Sequence, residues 1–137
     1  MFKVTAVMET GKNKDNILRF SKDIIGQRVK NYLDQHYAEQ ISLQQISEEL
    51  RVSWSYLSHV FKALTGYSPF QYVLHRRIGE AQTLLLETDL SIQEIAFQVG
   101  YQTQSYFTQR FSKLVGVSPM RYRKSGMISP YKRTCVV

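Results

Sequence analysis

Cysteine is almost absent from this chain of 137 residues, since Cys135 is the only one. A single cysteine cannot form an intramolecular disulfide, which fits a reducing compartment. A lone cysteine so close to a chain end is most often inert. No Cys/His spacing matches a zinc site, so we expect no bound metal. These absences are typical of a cytoplasmic protein.

Long apolar runs and catalytic signatures are absent too. No stretch of about 20 apolar residues predicts a membrane span. The N-terminal sequence MFKVTAVMETGK is interrupted by charge and does not resemble a signal peptide. The chain has no P-loop, no G-x-G-x-x-G and no H-E-x-x-H motif. Serine and histidine occur, but no pattern nominates a Ser–His–acid triad. We therefore expect neither an enzyme nor a cofactor.

Acidic side chains are missing from the C-terminal end of a chain whose formal net charge is +7. Residues 102–137 contain no Asp or Glu. The same residues contain seven basic side chains: Arg110, Lys113, Arg121, Arg123, Lys124, Lys132 and Arg133. Such a basic end suits a polyanion, and DNA is favoured over an anionic membrane surface.

A sequence repeat dominates what is present. Residues 41–72 and 90–122 are two copies of one pattern. Ser42, Ile46 and Leu50 match Ser91, Ile95 and Val99 at an offset of 49 residues, whereas the later matches, from Ser55 to Tyr72, have an offset of 50. Two copies are too few for a solenoid and indicate two similar helical units.

Each copy predicts a helix-turn-helix. Ser42 and Ser91 begin capping boxes with Gln45 and Glu94, and an apolar i, i+3, i+4, i+7 stripe follows over about eight residues. After a short turn, second helices are predicted at about 54–65 and 104–115. Gly66 and Gly116 suit the position after a helix end, and a Ser-Pro pair then starts the next helix. The predicted fold is all-α, with about seven helices.

The outer face of each second helix is polar and contains no Asp or Glu. The candidate base-contacting residues are Trp54, Ser55, Ser58, His59, Gln104, Ser105, Thr108 and Gln109. An ordinary solvated face usually mixes acids with bases, so two matching acid-free faces favour insertion into DNA grooves. Trp54 has an alternative role, as a wedge against the domain's own core. The alternative function is a helical protein-interaction module that uses the paired polar faces.

The second copy, and the segment that joins the two copies, resemble a known family. The pattern Ala96-x3-Gly100-Tyr101-x3-Ser105-Tyr106-Phe107-x3-Phe111-x4-Gly116-x-Ser118-Pro119-x2-Tyr122-Arg123 is similar to the signature of the AraC/XylS transcription regulators. Arg77-Ile78-x2-Ala81-x2-Leu84-Leu85 resembles the segment that joins that family's two helix-turn-helix units. The resemblance covers residues 27–124. It implies helix-turn-helix subdomains at about 42–66 and 91–116, a connecting helix at 69–87, and second helices that enter major grooves of double-stranded DNA.

The expected function is therefore sequence-specific regulation of transcription, with two recognition helices in successive major-groove segments of an asymmetric site. If the protein is an activator, RNA polymerase is a further expected partner. The family usually has Arg or Lys where this chain has His59 and Gln109, so the resemblance does not imply a base preference. The candidate phosphate contacts are Lys62, Ser68, Arg76, Tyr106, Arg110, Lys113, Ser118, Arg123 and Lys124.

The flanks are less informative. Residues 1–26 are expected to be a tail or linker, with a possible short helix at 15–25 interrupted by Gly26. This segment either links to a sensor or dimerisation domain or packs on the flank of the DNA-binding domain. A separate helix is predicted at 28–39, and residues 125–137 are expected to form a basic tail. We expect the isolated domain to be monomeric, whereas a longer regulator would dimerise through an N-terminal domain. Arg77 is expected to have a structural role, such as pairing with an acid.

Overall fold

The computed structural model describes residues 11–126, which are all-helical as predicted. Seven helices occur in this range: α1 (Gly11–His36), α2 (Leu43–Leu50), α3 (Trp54–Thr65), α4 (Pro69–Glu87), α5 (Ile92–Gln98), α6 (Gln104–Val115) and α7 (Pro119–Gly126). The expectations for residues 1–10 and 127–137, Cys135 included, lie outside the described residues. The described residues divide into a first unit, residues 11–32 and 42–69, and a second unit, residues 33–41 and 70–126.

Helix α1 differs from the prediction, because it runs without interruption through Gly26. The predicted break at Gly26 was wrong, as was the separate helix at 28–39. Gly26 is buried against α3, and a Cβ on it would lie 2.8 Å from Cδ2 of Leu64 and 3.6 Å from Cγ1 of Val60. A glycine inside a helix costs about 1 kcal/mol relative to alanine. Here it lets two helices approach closely.

The first unit contains the first helix-turn-helix, α2 and α3. Ile46 of α2 and Leu57 and Phe61 of α3 are buried. The Ser42 side chain accepts a hydrogen bond from the Gln45 amide at 3.3 Å, but the reciprocal bond of the predicted capping box is not formed. Arg51 ends α2 in the left-handed conformation, with φ 55°.

The second unit contains α5, α6 and α7 and most of α4. Its core includes a row of aromatic rings in mutual contact, two of which belong to α6. Ring centroids are 5.5 Å apart from Tyr101 to Phe107, 5.7 Å from Phe107 to Phe111, and 5.6 Å from Phe111 to Tyr122. The α4 residues Ile78, Ala81 and Leu85 belong to the same buried cluster, together with Ile95 of α5 and Val99, the residue that follows α5.

The predicted glycines at the ends of α3 and α6 and the predicted capping box at the start of α5 are confirmed. Gly66 and Gly116 cap α3 and α6 in the left-handed conformation, at φ 82° and 96°. At the start of α5 the capping box is complete: Ser91 Oγ accepts from the Glu94 amide at 3.1 Å, and the Ser91 amide donates to Glu94 Oε2 at 2.7 Å.

Candidate nucleic-acid interface

The first recognition helix is α3. The Ser53 side chain caps it by accepting a hydrogen bond from the Tyr56 amide at 3.2 Å. Because Leu57, Val60 and Phe61 face inward, the predicted contact residues Trp54, Ser55, His59 and Lys62 lie on the exposed side. Trp54 is 40% exposed. Part of this residue is therefore accessible, and its contact with DNA stays a prediction beside the alternative of a core wedge.

The second recognition helix is α6, and it is built in the same way. Thr103 caps it by accepting from the Tyr106 amide at 3.1 Å. Phe107 and Phe111 are buried, which leaves Gln104, Ser105 and Gln109 exposed and Thr108 half-buried. Neither recognition helix contains an acidic residue. The exposed sides of both can therefore approach DNA without a carboxylate facing a phosphate.

Ser58 is a predicted base contact whose hydroxyl is not accessible. Its hydroxyl oxygen is buried and has no hydrogen-bond partner among the described residues. In this conformation the hydroxyl does not face outward, so a base contact by Ser58 would require its side chain to rotate.

Several predicted phosphate contacts lie at the surface. Lys62, Lys113 and Lys124 are exposed, and Tyr106 is 51% exposed with its ring 5.7 Å from that of Tyr101. Arg110, Ser68 and Ser118 are half-buried. Ser118 Oγ caps α7 by accepting from the Arg121 amide at 3.2 Å. The serine that precedes α7 therefore stabilises the first turn of this helix.

Two predicted phosphate contacts are engaged within the second unit. Arg76 lies 3.2 Å from Asp34 Oδ1 and places its guanidinium 4.8 Å from the ring centroid of Tyr37. Arg123 donates from Nε to the Leu85 carbonyl at 2.9 Å and from Nη2 to the Thr88 carbonyl at 3.1 Å. Arg123 thus satisfies carbonyls at the C-terminal end of α4, a role that the sequence did not predict. Phosphate contacts by these two arginines stay predictions.

Arg77 also has partners that the sequence did not predict. The expected pairing with an acid is replaced by hydrogen bonds to the carbonyls of Tyr37 and Glu39, at 2.6 and 2.8 Å. Burial lowers the pKa of its guanidinium, and the neighbouring Tyr101 and Tyr106 partly offset that effect. The only signal for this arrangement in the sequence was an arginine directly beside the apolar stripe of α4.

Membrane-spanning and metal-binding features were sought in the same residues. Within residues 11–126, none of the helices has the length and apolar character needed to cross a membrane. This range also contains no group of three or more His, Cys, Asp or Glu side chains placed to hold a metal ion.

Comparison with known proteins supports the same interpretation. A family model described as a helix-turn-helix domain matches residues 46–125. The chain belongs to the AraC-type family of transcription regulators. One relative of this AraC-type domain is the HTH-type transcriptional regulator YdiP of Escherichia coli (strain K12), 40% identical over 103 residues, or 75% of this chain and 34% of the relative. The chain spans about a third of the length of the curated relatives it matches.

This AraC-type domain is also similar to solved structures. The C-terminal domain of AraT, a response regulator from Geobacillus stearothermophilus, is 42% identical with a TM-score of 0.72, covering 78% of this chain and 89% of that one. The DNA-binding domain of AdpA, solved in complex with a target DNA, is 26% identical with a TM-score of 0.70, covering 77% of this chain and 96% of that one.

Proposed function

We propose that this chain is a sequence-specific regulator of transcription that inserts α3 and α6 into successive major-groove segments of an asymmetric double-stranded DNA site. One observation supports this most: both recognition helices expose polar, acid-free faces at matching positions of two helix-turn-helix units. The family membership and the DNA complex of the similar AdpA domain support it further.

On α6, Gln109 is the leading candidate for contact with a base edge. It is exposed, and a glutamine amide can bond adenine N6 and N7 with two hydrogen bonds. Gln104, Ser105 and Thr108 lie on the same helix near it. On α3, His59 occupies the corresponding position, and Trp54 can contact a thymine methyl group.

Phosphate contacts would set the position of the domain on the duplex. The exposed Lys62, Lys113 and Lys124 supply positive charge. The N-terminal amides of α4 and α7, which begin at Pro69 and Pro119, supply hydrogen-bond donors and the favourable end of the helix dipole.

Further partners belong to the whole regulator. For an activator we propose contact with RNA polymerase, and for a longer form of the protein we propose dimerisation outside the domain described above. We propose a cytoplasmic location, where both DNA and polymerase are accessible in bacteria such as those of the relatives.

The test is selection of binding sites from random duplexes, followed by titration with Gln109→Ala. We expect Gln109→Ala to cost about 1–3 kcal/mol at one preferred base pair and to relax the choice of base there. Gln98→Ala, which removes an exposed glutamine amide from α5, is the matched control. An equal loss on all duplexes would show that Gln109 does not contact a base.

The salt dependence of binding distinguishes DNA binding from the protein-interaction alternative. Release of counterions from DNA makes log K fall by about 0.9 per contacted phosphate for each unit of log salt. Two results together would contradict the proposed function and favour a protein partner. The chain would select no duplex sequence, and its affinity for DNA would change little with salt concentration.

A further inference from the structure

The turn before α6 is held by the chain segment that follows α1. Gly100 has φ 105°, and a Cβ at this position would lie 2.7 Å from the carbonyl oxygen of Ala38. Gln40 Nε2 donates a hydrogen bond to the Gly100 carbonyl at 3.3 Å. Residues 37–40 therefore lie directly against the turn of the second helix-turn-helix, and all of these residues belong to the second unit.

Arg77 of α4 holds that segment and the turn at once. Its Nε donates to the Tyr37 carbonyl at 2.6 Å and its Nη2 to the Glu39 carbonyl at 2.8 Å. The same guanidinium lies 5.4 Å from the ring centroid of Tyr101, the residue after Gly100. A planar guanidinium can donate a fork of hydrogen bonds and stack on a ring together, which a lysine ammonium cannot do.

Tyr101 transmits this contact to α6. The side chain is only 6% exposed, and its ring lies 5.7 Å from Tyr106 and 5.5 Å from Phe107, both in the first turn of α6. Burial raises the pKa of its hydroxyl to about 12. That hydroxyl has no hydrogen-bond partner among the described residues. The ring is therefore held by packing, and Arg77 forms part of that packing.

We propose that Arg77 is a positioning residue for the second recognition helix: through Tyr101 it sets where α6 begins and thus where Gln109 meets a base pair. The inference rests on the proposed function. It applies to α6 alone, because at an offset of 49 residues the first copy has Arg51 and Val52 in place of Gly100 and Tyr101. The first helix-turn-helix has no corresponding ring for an arginine to stack on.

The test uses the 137-residue chain and a duplex obtained by selection from a random library. Base pairs contacted by α6 are identified as those whose preference changes in Gln109→Ala, and base pairs contacted by α3 as those whose preference changes in His59→Ala. Affinity is then measured for single base-pair changes in the duplex with Arg77→Lys, Arg77→Met and Gln40→Leu, and with Arg28→Lys, an exposed arginine of α1, as control.

For Arg77→Met and Arg77→Lys we expect discrimination at the α6 base pairs to fall about tenfold, the equivalent of one lost base contact, while discrimination at the α3 base pairs is retained. Gln40→Leu removes one hydrogen bond from the same segment without changing charge, so it keeps the test valid if Arg77→Met does not fold. We expect a smaller change in the same direction. Arg28→Lys should behave as wild type.

A merely structural role would lower the folded fraction and leave the relative preference at every base pair unchanged, which would overturn the proposal. Full recovery of discrimination in Arg77→Lys would also overturn it, because charge alone would then suffice. If the wild-type chain itself selects no base pair, the proposed function fails, and the positioning role fails with it. The wild-type measurement separates that outcome from a failure confined to the Arg77 variants.

Discussion

At the scale of single residues, glycines at helix ends have unequal neighbours. Gly100 and Gly116 share a left-handed backbone, at φ 105° and 96°, yet only Gly100 faces another backbone segment. At Gly116 a Cβ would meet nothing within 4 Å, whereas at Gly100 it would lie 2.7 Å from the Ala38 carbonyl oxygen.

We therefore expect Gly100→Ala to lower the free energy of unfolding by about 2 kcal/mol or more, since backbone strain and overlap add. Gly116→Ala should cost about 1 kcal/mol, from conformational strain alone. Urea unfolding of both variants measures the difference. If both variants lost the same free energy of unfolding, the backbone at Ala38 would be able to move away from the new Cβ at no energetic cost.

Two adjacent cations at the end of α7 offer a second comparison. Arg123 donates two hydrogen bonds to carbonyls at the end of α4, whereas its neighbour Lys124 is exposed. We expect Arg123→Gln to lower the free energy of unfolding by about 1–3 kcal/mol, because its removal leaves carbonyls without a charged donor.

Lys124→Gln removes the same charge and should leave stability nearly unchanged, while it lowers the slope of log K against log salt by about one. Unfolding and salt titration of the two variants give both quantities. A reduced slope in Arg123→Gln would show that Arg123 contacts a phosphate as well. An unchanged unfolding midpoint in that variant would contradict its structural role.

At the scale of elements, the caps of α5 and α2 differ in a titratable group. Hydrogen bonds from Ser91 lower the pKa of Glu94 below its usual value near 4.5, whereas Gln45 at the corresponding place does not titrate. The folded state thus favours the carboxylate. The stability it contributes is present above about pH 4.5 and is lost as pH falls through the lowered pKa.

Glu94→Gln should therefore be less stable than the wild type at pH 7 and approach it as the pH falls toward 3. The measurement is the unfolding midpoint of both proteins across this range. Gln45→Glu in the first copy is the reciprocal test, and it should introduce the same pH dependence into α2. A difference between wild type and Glu94→Gln that stays constant with pH would exclude the capping carboxylate as its cause.

Helix α3 contains the only tryptophan of the chain, Trp54, in its first turn. Because this ring is 40% exposed at the recognition face, contact with DNA would change its surroundings. We expect its fluorescence to shift when the selected duplex is added and to stay unchanged with a duplex of unrelated sequence at higher salt. Specific binding without any shift would place Trp54 outside the interface.

At the scale of the whole molecule, two unlike recognition helices are joined in one chain. His59 and Gln109 occupy matching positions, as do Lys62 and Ser112. Helix-turn-helix proteins with one such unit dimerise to bind two half-sites. We expect one molecule of this chain to protect an asymmetric site without a palindrome. Footprinting, together with the mass of the complex, checks this, and a palindromic footprint with two chains per site would contradict it.

The sequence by itself determined helices α2 to α7, their approximate ends and the outward side of the recognition helices. Each of these depends on neighbours within about four residues: serine and threonine caps, left-handed glycines, and apolar stripes of helical period. The sequence repeat also predicted that the chain contains two similar helix-turn-helix units. Base contacts were assigned from the same local pattern, which is why the buried hydroxyl of Ser58 was not foreseen.

Tertiary structure alone decided what distant contacts control. A glycine ordinarily weakens a helix, yet α1 continues through Gly26, where a Cβ would lie 2.8 Å from Cδ2 of Leu64, a residue far along the chain. The carbonyl partners of Arg77 lie 40 and 38 residues away, and those of Arg123 lie 38 and 35 residues away. The charge of an arginine is known from the sequence. The carbonyls to which it donates hydrogen bonds are decided only by how the helices pack.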